Sequence, residues 1–190
     1  DESFAGYDRY LANKIARLYG NIPLGPLKGG VAFIAERLPE STRKKSAVRN
    51  LKRFVKAANL SKEERYACWM SIFDNKMKNS LYTEELKERL EGVNSYDFLI
   101  DAYKQSGTED FLDSTLFVDA MTYLPYDLLV KADIASMANS FEARSPFLDH
   151  KLMEFAASIP SNLKLKGITT KYILKKALAK VLPKETLYRN

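Results

Sequence analysis

The sequence predicts an all-α protein. Apolar residues recur at spacings of three and four along most of its 190 residues, the period of a helix face. Alternating runs of five or more β-branched residues are absent, so no strand period competes. Proline and glycine, 7 and 8 in the whole chain, have their densest cluster in GNIPLGPLKGG (20–30). That stretch is the one long loop the sequence signals.

The elements follow in order. Ser41 or Thr42 can cap a basic helix whose apolar stripe is Val48, Leu51, Val55 and Ala58. Ser61 and Glu64 have capping-box spacing ahead of a helix over 62–78. Its stripe of Tyr66, Trp69, Met70, Phe73 and Met77 reads as core packing. Thr83 caps a short helix over 84–90, where Glu84 and Glu85 suit the positive end of the helix dipole. Phe111, Leu112, Leu116, Ala120 and Tyr123 form a third stripe. Pro125 opens a helix from about 126 to 139. Pro146 interrupts, and Asp149 caps the next helix, which ends near Pro160. GITTKYILKKALAKVLP (167–183) holds a last helix, stopped before Pro183.

Composition narrows the class of function. With 46% hydrophobic and 28% charged residues, the chain is globular rather than disordered, and it has the size of one ordinary domain. No apolar run reaches the length of about 18 residues that spans a bilayer, and no basic-then-apolar signal opens the chain. The single cysteine, Cys68, forms no internal disulfide and reads as a small buried hydrophobe, which suits a reducing cytoplasm. One histidine, His150, near a helix start, reads as structural, and one His with one Cys disfavours a zinc site. The net charge of +6 is concentrated in STRKKSAVRNLKRFVKAAN (41–59). There Arg43, Lys44, Lys45, Arg49, Lys52, Arg53 and Lys56 meet no acid. The stretch reads as a solvated helix or one docked on an acidic neighbour; a nucleic-acid-binding or scaffold module is the alternative.

Several residues point to chemistry. Lys171 falls in the first turn of the last helix, where a cation opposes the dipole. Asp127 and Lys131 stand four apart on one helix face. Glu142 and Arg144, in ANSFEARSPFLDH (138–150), lie among small and apolar residues, where charge is costly unless paired. The chain begins DESFAGYDRY, two carboxylates before a glycine that lets backbone pass close to something.

Three stretches, in this order, resemble motifs of one family: DESFAGYDRY, LPYDLLVKADIASMANSFEARSPFLDHKLMEFAASIP and KYILKKALAKVLPKETLYR. They are similar to the synthetase domain of glutamine-hydrolysing asparagine synthetases, and the likeness covers essentially the whole chain. The resemblance implies a single helical unit over 1–190, the C-terminal portion of a PP-loop, adenine-nucleotide α-hydrolase-like synthetase domain. It implies ATP and Mg²⁺ as cofactors and aspartate as the substrate, adenylated on its side chain. Ammonia released from glutamine by a separate glutaminase domain would then displace AMP. On matching positions, Asp1 would hold Mg²⁺ on the pyrophosphate, and Glu2 and Tyr7 would shape the pocket beside it. Lys171 would neutralise charge around the adenylate, with Asp127 facing it. Lys131, Glu142 and Arg144 would belong to the substrate pocket. Asp1, Asp127 and Lys171 are therefore expected on one cleft.

The family's glutaminase domain and its Ser-Gly-Gly-x-Asp-Ser loop have no counterpart in these 190 residues. The expectation is a fragment lacking an upstream part, inactive alone, with an exposed apolar patch through which it could self-associate. Ser3, Ala5, Tyr126 and Ser145 depart from the family's commoner residues. They keep open a related amidotransferase acting on another carboxylate, lactam-forming or in the cell envelope.

Overall fold

The computed structural model describes residues 1–21, 37, 47–58 and 60–188. Of the loop expected over 20–30, Gly20 and Asn21 instead end a helix, Asp8–Asn21, and the remainder, with the Ser41 or Thr42 cap and Arg43, Lys44 and Lys45, lies outside the described residues. Among those described, the backbone is helical without strands, apart from an isolated antiparallel bridge between Lys166 and Thr169. The chain divides into two compact units, Ala12–Asp101 and Asp1–Leu11 with Ala102–Asn190.

In the Ala12–Asp101 unit, the last part of α1 (Asp8–Asn21) is followed by α2 (Ala47–Ala57), α3 (Lys62–Met70), α4 (Asn75–Leu81) and α5 (Glu84–Arg89). The Ser61 hydroxyl accepts from Glu64 N while the Glu64 carboxylate accepts from Ser61 N, so the capping box forms. Thr83 caps α5 through Leu86 N. The helix expected over 62–78 is two helices. Ser71 turns extended after Met70, and Asp74 becomes a new cap, accepting from Met77 N at 2.9 Å. A side-chain acceptor that offers the backbone an alternative partner breaks a helix in this way. The apolar stripe breaks with it: Tyr66 is fully buried, whereas Phe73 and Met77 are exposed. Cys68 is half-buried. The described part of the basic helix docks locally. Arg53 donates to the Trp69 carbonyl at 2.6 Å, Lys56 pairs with Asp74, and Phe54 stacks on Trp69 and meets Tyr19 edge-on.

The second unit starts with a turn over residues 1–6 and the first part of α1. It continues through α6 (Asp97–Gln105), which also lends its first turn to the other unit, to α7 (Phe111–Met121), a wide π turn (Leu124–Leu129) and α8 (Val130–Met137). A 3-10 turn (Pro146–Leu148), α9 (His150–Ser158), α10 (Ser161–Lys164), α11 (Tyr172–Leu178) and α12 (Lys184–Leu187) complete it. Its core gathers Ala5, Tyr10, Leu112, Leu116 and Leu165, with Tyr7 and Phe111 packed against them. Asp110 caps α7 through Leu112 N and Asp113 N. Asp149 caps α9 through Leu152 N, as its position predicts.

Two boundaries differ from expectation. Pro125 does not open a regular α-helix. It has no N–H for the preceding turn and its ring crowds the carbonyl four residues back, and the chain passes through π geometry before α8. The helix expected within 167–183 is α11, which begins at Tyr172 and ends at Leu178; Lys171, whose φ of 53° is left-handed, stands just outside it. Lys171 instead offers its carbonyl to Lys175 N at 2.8 Å, the role of an N-cap residue.

Candidate active site

Asp1 and Lys171, from opposite ends of the sequence, meet in one unit. The Lys171 ammonium is paired with Asp1 Oδ1. Three local features place them. Residues 1–6 close on themselves through Gly6 N donating to Asp1 O at 2.9 Å, with Ala5 left-handed at φ 56°. Such a 6→1 bond with a left-handed penultimate residue is the geometry that terminates helical turns. Lys171 is itself left-handed, which turns its side chain back before α11 departs. Gly6 forms the floor beneath the pair. A Cβ there would stand 2.5 Å from Asp1 Cγ and closer still to Asp1 Oδ1 and Lys171 Cε. The pair is reachable from solvent, with 37% of the Lys171 side chain and 32% of Asp1 exposed.

Non-glycine residues avoid positive φ because of Cβ crowding. Among the described residues, those with positive φ are Ala5, Ser140 and Lys171. All three fall in the stretches that the sequence singles out for chemistry. Backbone held in such sparsely populated conformations clusters at functional sites.

Glu2 is buried beside Asp1. Its Oε1 accepts from the Tyr7 hydroxyl at 2.6 Å. Burial pushes the carboxyl up, while the Tyr7 hydroxyl and the residue's own backbone hold it below its ordinary value. Burial and then the Glu2 carboxylate push the Tyr7 phenol well above its usual range. Glu2 and Ser3 also border a cleft of about 360 Å³ whose walls include Leu116, Phe117 and the Asp113–Lys164 pair.

The other expected residues sit on the exposed surface of the same unit. Asp127 Oδ1 pairs with Lys131 at 3.7 Å, one turn apart, both well exposed. Glu142 accepts from Arg144 Nε at 2.6 Å, also exposed. The cost of charge among small and apolar neighbours is met here by water as well as by pairing. Phe4 packs edge-on to Phe147 at 6.4 Å, tying the N-terminal turn to the stretch that follows Arg144. The structure thus joins Asp1 with Lys171, Glu2 with Tyr7, Asp127 with Lys131 and Glu142 with Arg144. Sequence reasoning missed Gly6 as the floor, and Arg9 and Asp119 behind Tyr7. Asp119 carried a signal: a carboxylate flanked in sequence by Val118 and Ala120, within a largely apolar helix, has to be paired when buried.

No group of three or more His, Cys, Asp or Glu able to hold a metal occurs among the described residues. The donor set at the pair is one accessible carboxylate, Asp1. That suits Mg²⁺ shared with phosphate oxygens and water rather than a cage of protein ligands.

The asparagine synthase family model matches residues 1–190. "Asparagine synthetase [glutamine-hydrolyzing] 1" of Bacillus subtilis (strain 168) is 32% identical over 189 residues, covering 100% of this chain and 28% of the relative. "Putative asparagine synthetase [glutamine-hydrolyzing]" of Mycobacterium bovis is 33% identical over 193 residues, covering 100% and 27%. "Amidase chyE" of Penicillium rubens is 24% identical over 206 residues, covering 94% and 28%. The chain therefore spans little more than a quarter of the length of these relatives. No solved structure matches the chain at a significant level.

Proposed function

The chain belongs to the asparagine synthase family, and we propose that it supplies part of the carboxylate-activating site of an ATP-dependent, glutamine-hydrolysing asparagine synthetase. The observation that carries this reading is the Asp1–Lys171 pair, assembled across Gly6 between two left-handed residues. In the proposed reaction an aspartate side-chain oxygen attacks the α-phosphorus of ATP and pyrophosphate leaves. Ammonia from glutamine then attacks the acyl carbon, AMP leaves with the bonding pair, and the nitrogen loses a proton.

The first step brings two anions together, so it needs cations placed where charge develops. Lys171 supplies one. It is held on Asp1, and phosphate oxygens would compete with that carboxylate for it. Bound Mg²⁺ would supply charge neutralisation on the leaving pyrophosphate, and Asp1 is the residue that would hold it. Glu2, fixed by Tyr7, shapes the neighbouring wall. Asp127, Lys131, Glu142 and Arg144 are assigned to the acceptor side of the pocket. The first pair stands at the π turn and the second after the left-handed Ser140, both irregular backbone of the kind that aims side chains at sites.

No helix among the described residues is long and apolar enough to cross a membrane, and we place the enzyme in the cytoplasm. Tyr126 is 70%, Phe141 65% and Phe155 63% exposed. We assign such side chains to contacts with the rest of a longer ligase, or to self-association of the 190 residues alone. The second reading, amidation of another carboxylate, draws on Tyr126 and Ser145, which depart from the family's usual residues at the acceptor side. The test is asparagine formation by the longer protein from aspartate, ATP and glutamine. Product that disappears in a Lys171→Ala variant supports the proposal. Glutamine hydrolysis without asparagine, accompanied by amidation of another acid, favours the second reading.

A further inference from the structure

We propose that Arg9 is a positioning residue for the Asp1–Glu2 site: gripped between two tyrosine rings and anchored on a buried carboxylate, it fixes the tyrosine that fixes Glu2. The role in the reaction rests on the functional reading above; the geometry does not. Asp119 projects from α7 and is fully buried. Its Oδ2 accepts from Arg9 Nη2 at 2.9 Å and Nε at 3.3 Å, and from the Tyr10 hydroxyl. Two donors from one planar group on one oxygen set the plane of the guanidinium. That plane then packs against aromatic rings. The Tyr7 centroid lies 3.8 Å from Arg9 Cζ and the Tyr123 centroid 4.7 Å. Tyr123 also meets Tyr7 edge-on at 6.1 Å, and Tyr10 packs against it at a tilt at 5.7 Å.

The Tyr7 ring is thereby held on several sides, and its hydroxyl reaches Glu2 at 2.6 Å. A line of contacts runs from the buried acid of α7 to the carboxylate beside Asp1. Lysine cannot replace arginine in this line. Its ammonium can balance Asp119, but it has no plane to stack and no fork to fix an orientation. Arg9→Lys therefore separates charge balance for Asp119, which it keeps, from the grip on Tyr7, which it loses.

The experiment reads the contact between Tyr7 and Glu2 in the 190-residue chain as the nuclear Overhauser effect between the Tyr7 ε protons and the Glu2 γ protons, two side chains joined by a 2.6 Å hydrogen bond. Tyr7→Phe shows the contact without the hydroxyl. Arg9→Lys, with unchanged far-UV circular dichroism, is expected to weaken that effect to the Tyr7→Phe level or below. A folded Arg9→Lys chain with the wild-type effect overturns the proposal. Should Arg9→Lys fail to fold, Tyr123→Leu removes one aromatic contact of the guanidinium and leaves the Arg9–Asp119 pair. A weakened Tyr7–Glu2 effect there supports the proposal and an unchanged one overturns it. In the longer ligase, Arg9→Lys is expected to lower kcat for pyrophosphate release by about 10-fold or more, with KM for ATP within about two-fold. If the wild-type ligase releases no pyrophosphate with aspartate, the functional reading fails, and the Tyr7–Glu2 contact still decides the role of Arg9.

Discussion

Gly6→Ala perturbs the Asp1–Lys171 pair and little else. The added methyl carbon would lie 2.5 Å from Asp1 Cγ, where ordinary contact begins near 3.4 Å. The carboxylate must therefore retreat by about 0.9 Å, and Lys171 Cε by more. Both obstacles are ends of flexible side chains, so the backbone turn over residues 1–6 can stay. The pair is about a third exposed, and exposed ion pairs contribute about 0–1 kcal/mol. Restricting the unfolded chain by a Gly→Ala change returns about 0.4–1 kcal/mol. The two nearly cancel, so Tm should shift by no more than about 4 °C in either direction. Activity is different, because displacing catalytic groups by about 1 Å costs on the order of 10²-fold. The assay is pyrophosphate release by the longer ligase with aspartate and ammonium, beside lysine Nζ NMR of the 190-residue chain. The Lys171 Nζ resonance should lose its Asp1-dependent shift and the rate should fall about 100-fold. A Gly6→Ala enzyme with wild-type rate and an undisturbed Lys171 resonance would refute the assignment of this pair to the reacting centre.

Other outcomes follow from the same contacts. Arg9→Ala removes the cation from the buried Asp119 carboxylate, which keeps the Tyr10 hydroxyl, and should cost about 3–5 kcal/mol, read as a lower urea midpoint. Ser61→Ala removes the capping box of α3 and should cost about 1 kcal/mol, a fall in Tm of about 2–4 °C. Because the folded-state carboxyl of Glu2 is held low, its stabilisation is present above the ordinary value of about 4.3 and is lost as pH falls through the lower folded midpoint. Urea midpoints measured from pH 6 downwards should thus fall more steeply for wild type than for Tyr7→Phe, with the difference developing below about pH 5. The 190 residues alone should release no pyrophosphate from ATP with aspartate and ammonium. No Ser-Gly-Gly-x-Asp-Ser sequence, the kind of loop whose backbone N–H groups cradle phosphates, occurs in these 190 residues.

Much of the helical architecture was legible because its causes are local. The Ser61–Glu64, Thr83 and Asp149 caps are decided within three or four residues, and each is where the spacing puts it. The break at 71–74 was hidden because Phe73 and Met77 continue the helical period of Tyr66 and Trp69. The winning cause, Asp74 capping α4 while pairing with Lys56, includes a partner 18 residues away. The ends of the π turn and the left-handed Lys171 were hidden likewise, since periodicity does not register the sign of φ. At the site, the Asp127–Lys131 pair follows from i,i+4 geometry and is present. The meeting of Asp1 with Lys171 does not follow from spacing at all; it was expected only through the family likeness. Gly6 could be read as a close-approach residue, but which atoms approach it depends on the folding back of the last helix. Nothing local in the sequence singles out Arg9, because its partner, Asp119, lies 110 residues away on a different helix.

In the proposed reaction the carboxylate is activated by transfer of AMP. The direct measurement uses aspartate carrying ¹⁸O in its side-chain carboxyl, incubated with the longer ligase, ATP and glutamine. Attack of that oxygen on the α-phosphorus leaves one labelled oxygen on AMP when ammonia displaces it, so the account predicts ¹⁸O-labelled AMP, unlabelled pyrophosphate and one asparagine per AMP. Formation of ADP with ¹⁸O in inorganic phosphate would contradict it, since the attack would then be on the γ-phosphorus and the site around Asp1 and Lys171 would hold a different leaving group.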